Sequence, residues 1–133
     1  MTPWRIAVVP GDGIGPEVTE VALEVLAHVA DQDGLAIEIT RFPYSADHFL
    51  STGETLPDDT LEAWRSFDAI FMGAFGDPRV PDMRHAADIL LGTRFRLDLF
   101  ANVRPVKCLD DRLCPLRDHD SGDIDMMFFR ENT

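Results

Sequence analysis

The chain has 133 residues, 45% of them hydrophobic, which is enough for one compact domain and too little for several. Its formal net charge of −12 argues against nucleic acid or an anionic membrane surface as partner, because both require a basic surface. No apolar run approaches the roughly 18 residues of a membrane helix, and the first residues lack the pattern of a secretory signal. We therefore expect a cytoplasmic protein, with Cys108 and Cys114 as reduced thiols, since their spacing fits neither a zinc pair nor a disulfide framework.

The first half of the chain predicts strands alternating with helices. Residues 6–9 are wholly apolar, as in a strand buried on both faces of a parallel sheet. Gly15 and Pro16 open a helix, because proline is tolerated in the first turn. The apolar stripe of this helix is expected to lie in the core, and its members are Val18, Val21, Ala22, Val25, Leu26 and Val29.

The pattern continues to the last residues. A half-buried strand is predicted at 35–41, a short helix after Pro57, a buried strand at 69–72 and a helix from about Met83 to about Gly92. Two more strands are predicted at 100–106 and 124–129, and Pro105 places the first at a sheet edge or at a strand terminus. The sum is an α/β fold with a mainly parallel sheet.

Two glycine-containing loops follow predicted strands, and ligands of open α/β sheets lie at such carboxyl ends. The first loop contains Gly11, Gly13 and Gly15, which is not the spacing of a Rossmann phosphate loop. The acids Asp12 and Glu17 place negative charge where a pyrophosphate would need attraction. Spacing alone favours tight turns without a ligand, both here and in the second loop at 73–78.

Basic residues are concentrated late in the chain. Residues 78–133 contain nine of the twelve basic residues, and eight of these nine are arginine. Arg94, Arg104 and Arg130 lie near the ends of predicted strands, where guanidinium groups could converge on a ligand with several carboxylates. The alternative is that these arginines cover solvated surface. The four histidines show no triad or metal spacing and are predicted to be bystanders: His28, His48, His85 and His119.

Three segments in this order resemble the isopropylmalate/isocitrate dehydrogenase family: Gly11-Asp-Gly-Ile-Gly-Pro-Glu-Val18, Leu99-Phe-Ala-Asn-Val-Arg-Pro-Val106 and Phe129-Arg-Glu-Asn-Thr133. Full members are well over twice as long, so the resemblance implies an amino-terminal part. The implied fold is a three-layer α-β-α arrangement that is incomplete here. Residues 1–99 would belong to the large cofactor-binding domain, and 100–133 would begin the second, substrate and dimerisation domain, with apolar faces left exposed.

The resemblance also implies roles for single residues. Arg94, Arg104 and Arg130 match the arginines that bind the substrate's carboxylates, and Leu90 and Leu91 match positions that contact its γ-substituent. A pair of leucines favours an apolar γ-group. The implied cofactor contacts are Gly13, Ile14, Gly73, Ala74 and Asp88. Ala87 stands where isopropylmalate enzymes carry a glutamate, which keeps tartrate, D-malate and isocitrate open as substrates.

The implied reaction is the oxidative decarboxylation of a 2-hydroxy di- or tricarboxylic acid by a homodimer that uses NAD or NADP together with Mg²⁺ or Mn²⁺. The family's tyrosine acid, lysine base and metal-binding aspartates all match positions beyond Thr133. Tyr44 and Lys107 lie in other segments and are not replacements. No catalytic residue and no metal ligand is therefore assigned here, and this chain alone is predicted to be inactive. Two alternatives are a non-catalytic truncated remnant and a free-standing nucleotide- or anion-binding module.

Overall fold

The computed structural model describes residues 2–132, so Thr133 of the third family-like segment lies outside the described residues. The chain divides into two compact units, one ending at Leu97 and the other beginning at Asp98. The strands and helices are β1 (Trp4–Gly11), α1 (Gly15–Asp33), β2 (Ile37–Arg41), α2 (Ala46–Thr52), α3 (Asp58–Trp64), β3 (Ala69–Ala74), α4 (Arg84–Ala87), α5 (Thr93–Arg96), β4 (Ala101–Lys107) and β5 (Asp125–Glu131). Among residues 2–132, no helix has both the length and the apolar character needed to cross a membrane.

The first unit is built on a parallel sheet in the order β2-β1-β3. The central strand β1 contains the fully buried Ala7, Val8 and Val9, as its continuous apolar run predicts. Side chains alternate between the two faces, so Ala7 and Val9 point to one face and Val8 to the other. The prediction of an α/β fold with a parallel sheet is confirmed.

Helix α1 contacts β1 and β3, but the predicted core stripe is partly wrong. Val18, Val21, Val25 and Val29 are exposed, and Ala22 and Leu26 are half-buried. The buried side chains are instead Thr19, Leu23 and Ala30, which lie on a neighbouring face of the helix. Three strands cover only the face of the helix turned toward them, so valines beside that face stay exposed however apolar they are.

The opposite sheet face carries an aromatic core. Phe42 lies edge-on to Trp64 and Phe67, with ring centroids 5.5 and 5.9 Å apart, and Trp64 is 1% exposed. Edge-to-face contacts of this kind add to the burial of the rings themselves. The cluster includes side chains from β1, the segment after β2, the segment before α3, α3 itself and the helix after β3: Ala7, Val9, Tyr44, Leu56, Leu61, Trp64 and Ile89.

The helix predicted to stop near Gly92 continues to Arg96. Its two α-helical parts, α4 and α5, are joined by a π-helical turn at Asp88–Gly92. A Cβ on Gly92 would lie 2.8 Å from Asp88 Oδ1 and 3.2 Å from Arg96 Nη2. Gly92 is therefore a packing glycine beneath the Asp88–Arg96 pair and not a helix terminator.

The second unit is an antiparallel ribbon of β4 and β5. Pro105 lies inside β4 opposite Met127, so the alternative of a strand terminus is wrong. The alternative of an edge strand is confirmed, because both strands of a two-stranded ribbon are edge strands. The expected exposed apolar surface is confirmed on this ribbon, where Val103 is 50% and Phe129 74% exposed.

Candidate functional site

The two loops at the carboxyl ends of β1 and β3 pack directly on each other. A Cβ on Gly11 would lie 2.1 Å from the Ala74 carbonyl oxygen, and a Cβ on Gly73 would lie 2.1 Å from that of Pro10. The Asp12 N–H also donates to the Ala74 carbonyl at 2.7 Å. These glycines are required because no side chain fits between the loops.

Gly13 has a different reason to be glycine. Its φ is +56°, and among the described residues beyond its two chain neighbours, the only atom within 4 Å of an added Cβ is the Gly76 carbonyl oxygen at 3.8 Å. Gly13 and its neighbour Ile14 are exposed, and Ile14 presents 61% of its surface. A ligand can therefore reach the first loop at Gly13 and Ile14, and not at its packed glycines.

Asp12 does not present its charge to a ligand, contrary to the expectation from sequence. Its side chain is 2% exposed. One carboxylate oxygen, Oδ1, accepts from the Ala46 N–H at 2.6 Å, and the other, Oδ2, accepts from the Gly76 N–H at 2.9 Å. The acid therefore joins the two loops and the start of α2, and its charge is satisfied internally. Glu17, by contrast, is exposed.

A surface ion-pair network flanks the second loop. Arg79 donates to Asp77 and also reaches Asp47 in α2 at 2.6 Å. Hydrogen bonds from the Arg79 side chain, together with the Arg79 N–H, lower the pKa of Asp77 to about 2. The second loop is thus tied to α2 by a side chain as well as through Asp12.

Replacing Arg79 by glutamine is expected to raise the pKa of Asp77 toward the ordinary value of about 3.9. In the wild type the depressed pKa of Asp77 adds stability above pH 4, and this contribution disappears as the pH falls through 2. The variant keeps only the smaller part that comes from the backbone N–H of residue 79. The measurement is a carboxyl-carbon NMR titration with Arg84→Gln as control, because Arg84 pairs with Asp82 instead. An Asp77 titration unchanged in Arg79→Gln would contradict this account.

The helix after β3 carries four of the predicted site residues. Leu90 is half-buried and Leu91 is 46% exposed, one turn before the half-buried Arg94. Asp88, a predicted cofactor contact, already has internal partners on both carboxylate oxygens: Thr55 Oγ1 donates to Oδ2, and Arg96 lies 3.4 Å from Oδ1. Leu91 and Arg94 are therefore better placed than Asp88 to meet a ligand.

Arg104 and Arg130 lie on the same face of the ribbon. Asn102 is opposite Arg130, and Arg104 is two residues further along β4, so all three side chains share one face. The Arg104 Nε–H donates to Asn102 Oδ1 at 2.9 Å. The structure thus brings two of the three predicted arginines together and places Arg94 in the first unit.

The ion pairs divide the late arginines into two groups. Within residues 2–132, Arg79, Arg84, Arg96 and Arg112 each pair with at least one aspartate. The described residues offer no such carboxylate to the other four, which are Arg94, Arg104, Arg117 and Arg130. All three predicted substrate-binding arginines are in this second group.

His85 is the residue that sequence reasoning missed, since it was predicted to be a bystander. It is fully buried, and its Nε2 lies 2.7 Å from Asp12 Oδ2. No spacing rule could have found this pair, because 73 positions separate the two residues.

Neither of the two residues that could be mistaken for catalytic groups is free. The Tyr44 hydroxyl is hydrogen-bonded to Thr60 within the core, and Lys107 forms an ion pair with Asp125 at 3.2 Å. Among residues 2–132 no three His, Cys, Asp or Glu side chains lie together as a metal site would require. We assign no metal ligand to this part of the chain.

Paired loops at the ends of parallel strands, next to an arginine-bearing helix, define an open α/β protein, and proteins of this class bind ligands at the carboxyl edge of the sheet. Residues 5–133 match the family profile of isocitrate/isopropylmalate dehydrogenase. The chain therefore belongs to the isocitrate/isopropylmalate dehydrogenase family of decarboxylating dehydrogenases.

Known relatives carry different names. The chain is 43% identical over 129 residues to 3-isopropylmalate dehydrogenase of Thermobifida fusca, covering 97% of this chain and 36% of the relative. It is 41% identical over 132 residues to tartrate dehydrogenase/decarboxylase of Pseudomonas putida, covering 98% and 36%. The chain thus spans about a third of the length of the curated relatives it matches.

Solved structures agree with the family assignment. Isocitrate dehydrogenase from Methylococcus capsulatus superposes with a TM-score of 0.74 at 27% identity, covering 98% of this chain and 35% of that one. The apo β-decarboxylating dehydrogenase from Thermococcus kodakarensis gives a TM-score of 0.64 at 30% identity, covering 98% and 34%.

Proposed function

We propose that this chain supplies the carboxylate-binding arginines and the cofactor-contacting loops of an NAD(P)-dependent enzyme. That enzyme oxidatively decarboxylates a small 2-hydroxy acid resembling 3-isopropylmalate, and it works as a cytoplasmic homodimer. The observation that carries the proposal is the division of the arginines. Arg94, Arg104 and Arg130 have no carboxylate partner among residues 2–132, whereas four neighbouring arginines do.

An arginine without an internal anion is suited to an external one. Its planar guanidinium donates two parallel hydrogen bonds to a carboxylate, which fixes both position and orientation. Asn102 orients Arg104 through the Nε–H and leaves its terminal nitrogens to a ligand. Arg104 and Arg130, on one face of the ribbon, suit a substrate with more than one carboxylate.

The leucines support an apolar γ-group. Leu91 exposes an apolar side chain one turn before Arg94 in the same helix. A polar γ-carboxylate beside leucines would lose hydration without gaining a partner. This favours a 3-isopropylmalate-like substrate over isocitrate.

Tartrate or D-malate is the second candidate. Its support is Ala87, which stands at the helical position where a glutamate would be expected for isopropylmalate. Asp88 is not free to replace that glutamate, because Thr55 and Arg96 already engage its carboxylate.

The two loops fit a dinucleotide better than the sequence suggested. Gly13 leaves open space beside Ile14. Of the two acids expected to repel a phosphate, Asp12 is buried and only Glu17 is exposed. A dinucleotide held by these loops would supply the acceptor for the hydride that leaves the hydroxyl-bearing carbon. The residues of this chain hold the loops, bind the carboxylates and restrict the orientation of the substrate. The described residues do not fit a divalent metal, and we derive no step through one.

The test is cofactor reduction by the longest natural polypeptide that carries this sequence. NAD⁺ and NADP⁺ are each assayed with 3-isopropylmalate, tartrate, D-malate and isocitrate, with Mg²⁺ or Mn²⁺ present. We expect the highest kcat/KM with 3-isopropylmalate. We also expect Leu91→Gln to lower kcat/KM about tenfold for 3-isopropylmalate and to leave tartrate little changed, as the loss of one apolar contact predicts.

Other outcomes select the alternatives. Preference for tartrate or D-malate would contradict the proposed apolar γ-group of the substrate. It would still support a decarboxylating dehydrogenase. No reduction with any acid would reject the proposed function. In that case dinucleotide binding that depends on Gly13 would support a binding module, and no binding would support a remnant.

A further inference from the structure

The buried pair of Asp12 and His85 joins four segments at the carboxyl edge of the sheet. Asp12 follows β1 and accepts from the N–H of Ala46 at the start of α2 and from the N–H of Gly76 in the second loop. His85 in α4 completes the set through Nε2. We propose that Asp12 and His85 are positioning residues that hold the second loop against the first, and so set the affinity for the nicotinamide cofactor. This inference rests on the proposed function.

The hydrogen bonds around Asp12 define which partner of the Asp12–His85 bond donates. An ionised Asp12 only accepts hydrogen bonds, so His85 Nε2 carries the proton and donates. In the neutral ring Nδ1 then has no proton. This agrees with its surroundings, since Nδ1 is buried without a hydrogen-bond partner among residues 2–132. An unpartnered acceptor nitrogen is less costly there than a buried N–H without an acceptor.

Packing fixes the ring in the same orientation. Phe49 of α2 stacks on the His85 ring with centroids 6.1 Å apart and an angle of 14° between the planes. The His85 ring thus packs against the Phe49 ring on one face and bonds to the Asp12 carboxylate at its edge. His85 therefore connects α4 to α2 as well as to the two loops.

The Gly76 peptide links this pair to the ligand-accessible surface. Its N–H binds Asp12, and its carbonyl oxygen is the nearest atom to the space beside Gly13. A cofactor that contacts both Gly13 and the second loop needs these two backbones at a fixed separation. Loosening Asp12 would change that separation without touching any cofactor contact directly.

Removing His85 is a milder change than removing Asp12. Without His85 the carboxylate keeps both backbone N–H donors, Ala46 and Gly76. The loop remains attached but loses the donor that fixes the carboxylate rotamer. We therefore expect a binding defect in a folded protein.

The experiment compares His85→Leu with His85→Gln in the longest natural polypeptide. The glutamine amide can place an N–H near the position of Nε2, whereas leucine fills the space without a donor. We expect His85→Leu to raise the cofactor Kd about tenfold, as loss of a hydrogen bond to a charged group predicts, and to raise the substrate Kd less than twofold. His85→Gln should restore the cofactor Kd to within about threefold of wild type.

Amide hydrogen exchange provides a readout independent of activity. Exchange at the Gly76 N–H should accelerate about tenfold in His85→Leu and not in His85→Gln. Asp12→Asn, which loses at least one acceptor, should accelerate exchange at Gly76 or Ala46 more strongly. Wild-type exchange and wild-type cofactor Kd in His85→Leu would overturn the proposal. Equal impairment by leucine and glutamine would overturn it too.

Failure of the proposed function gives a different result. If the wild type neither binds nor reduces a nicotinamide dinucleotide, the cofactor role fails with it. The exchange data then decide alone whether the pair holds the loop.

Discussion

Replacing Arg130 by glutamine is expected to lower kcat/KM for the hydroxy acid about a thousandfold, or ~4 kcal/mol in the transition state. Arg130 has no carboxylate partner among residues 2–132, and Asn102 lies opposite it on the ribbon. A substrate carboxylate would lose the charged donor that Arg130 supplies. The remaining amide cannot supply either the charge or the two-point contact.

Charge and geometry can be separated with lysine. Arg130→Lys keeps the positive charge but loses the planar fork, so we expect about a hundredfold loss, between wild type and glutamine. The measurement is steady-state kinetics with the best acid of the substrate panel. Substrate binding by calorimetry should follow the same order.

Arg112 offers a matched control in the same unit. It is also an exposed arginine, but its side chain pairs with Asp110, two residues earlier. Arg112→Gln should therefore change kcat/KM less than twofold, as expected for a surface pair. An Arg130→Gln enzyme as active as Arg112→Gln would show that the division of the arginines has no functional meaning.

The spacing of aspartate and arginine in the sequence predicts part of the division between paired and unpaired arginines, which a count of charges does not. Arg79, Arg84 and Arg112 each follow an aspartate by two residues, and each pairs with that aspartate in a local turn. In contrast, Arg94 follows Gly92 and Arg104 follows Asn102 at the same spacing. The pattern identifies arginines whose charge is used locally. It fails for Arg96, whose partners Asp58 and Asp88 are 38 and 8 positions away.

Secondary structure was predictable where the apolar period was clear. All five strands were expected, whereas α2 was missed because its seven residues have no apolar stripe. Its ends did carry a signal: Ser45 caps the helix by accepting from the His48 N–H, and Gly53 ends it with a φ of +77°.

Helix α1 shows why the buried face of a helix is harder to predict from sequence than the helix itself. Its apolar residues occupy two adjacent faces, and hydrophobicity does not say which one the sheet covers. The structure buries Thr19 and Leu23 and leaves Val21 and Val25 exposed. Thr19 lies beside Gly73, whose missing side chain makes room for it. That fit depends on a contact between distant segments, which no local pattern encodes.

Contacts of this kind also explain what the sequence left out of the site. Glycine spacing in the first loop argued against a phosphate loop, and the structure shows that Gly11 and Gly73 serve loop packing. The sequence indicates a repulsive surface charge at Asp12, because its partners Gly76 and His85 are far away in the chain. Burial and pairing decide the meaning of a charge, and both are tertiary properties.

Replacing Gly73 by alanine is expected to destabilise the folded protein by about 3 kcal/mol, the upper end of the usual range for overpacking. The added Cβ would lie 2.1 Å from the Pro10 carbonyl oxygen and 2.6 Å from Thr19 Oγ1. Backbone cannot rotate away as a side-chain end can. The first and second loops would have to separate. This would weaken the hydrogen bond from the Asp12 N–H to the Ala74 carbonyl.

Gly53→Ala is the matched control for the loss of glycine itself. Gly53 has a φ of +77°, and no atom of the described residues beyond its two chain neighbours lies within 4 Å of an added Cβ. Alanine there therefore meets only backbone strain of about 1 kcal/mol. Both variants are compared with wild type by urea unfolding, with the m-value checked for constancy. Because Gly73 joins the loops and Gly53 does not, Gly73→Ala should also weaken dinucleotide binding when Gly53→Ala leaves it unchanged. Equal destabilisation by the two substitutions would mean that the loop contact at Gly73 relaxes easily, and that the two loops are not held as one unit.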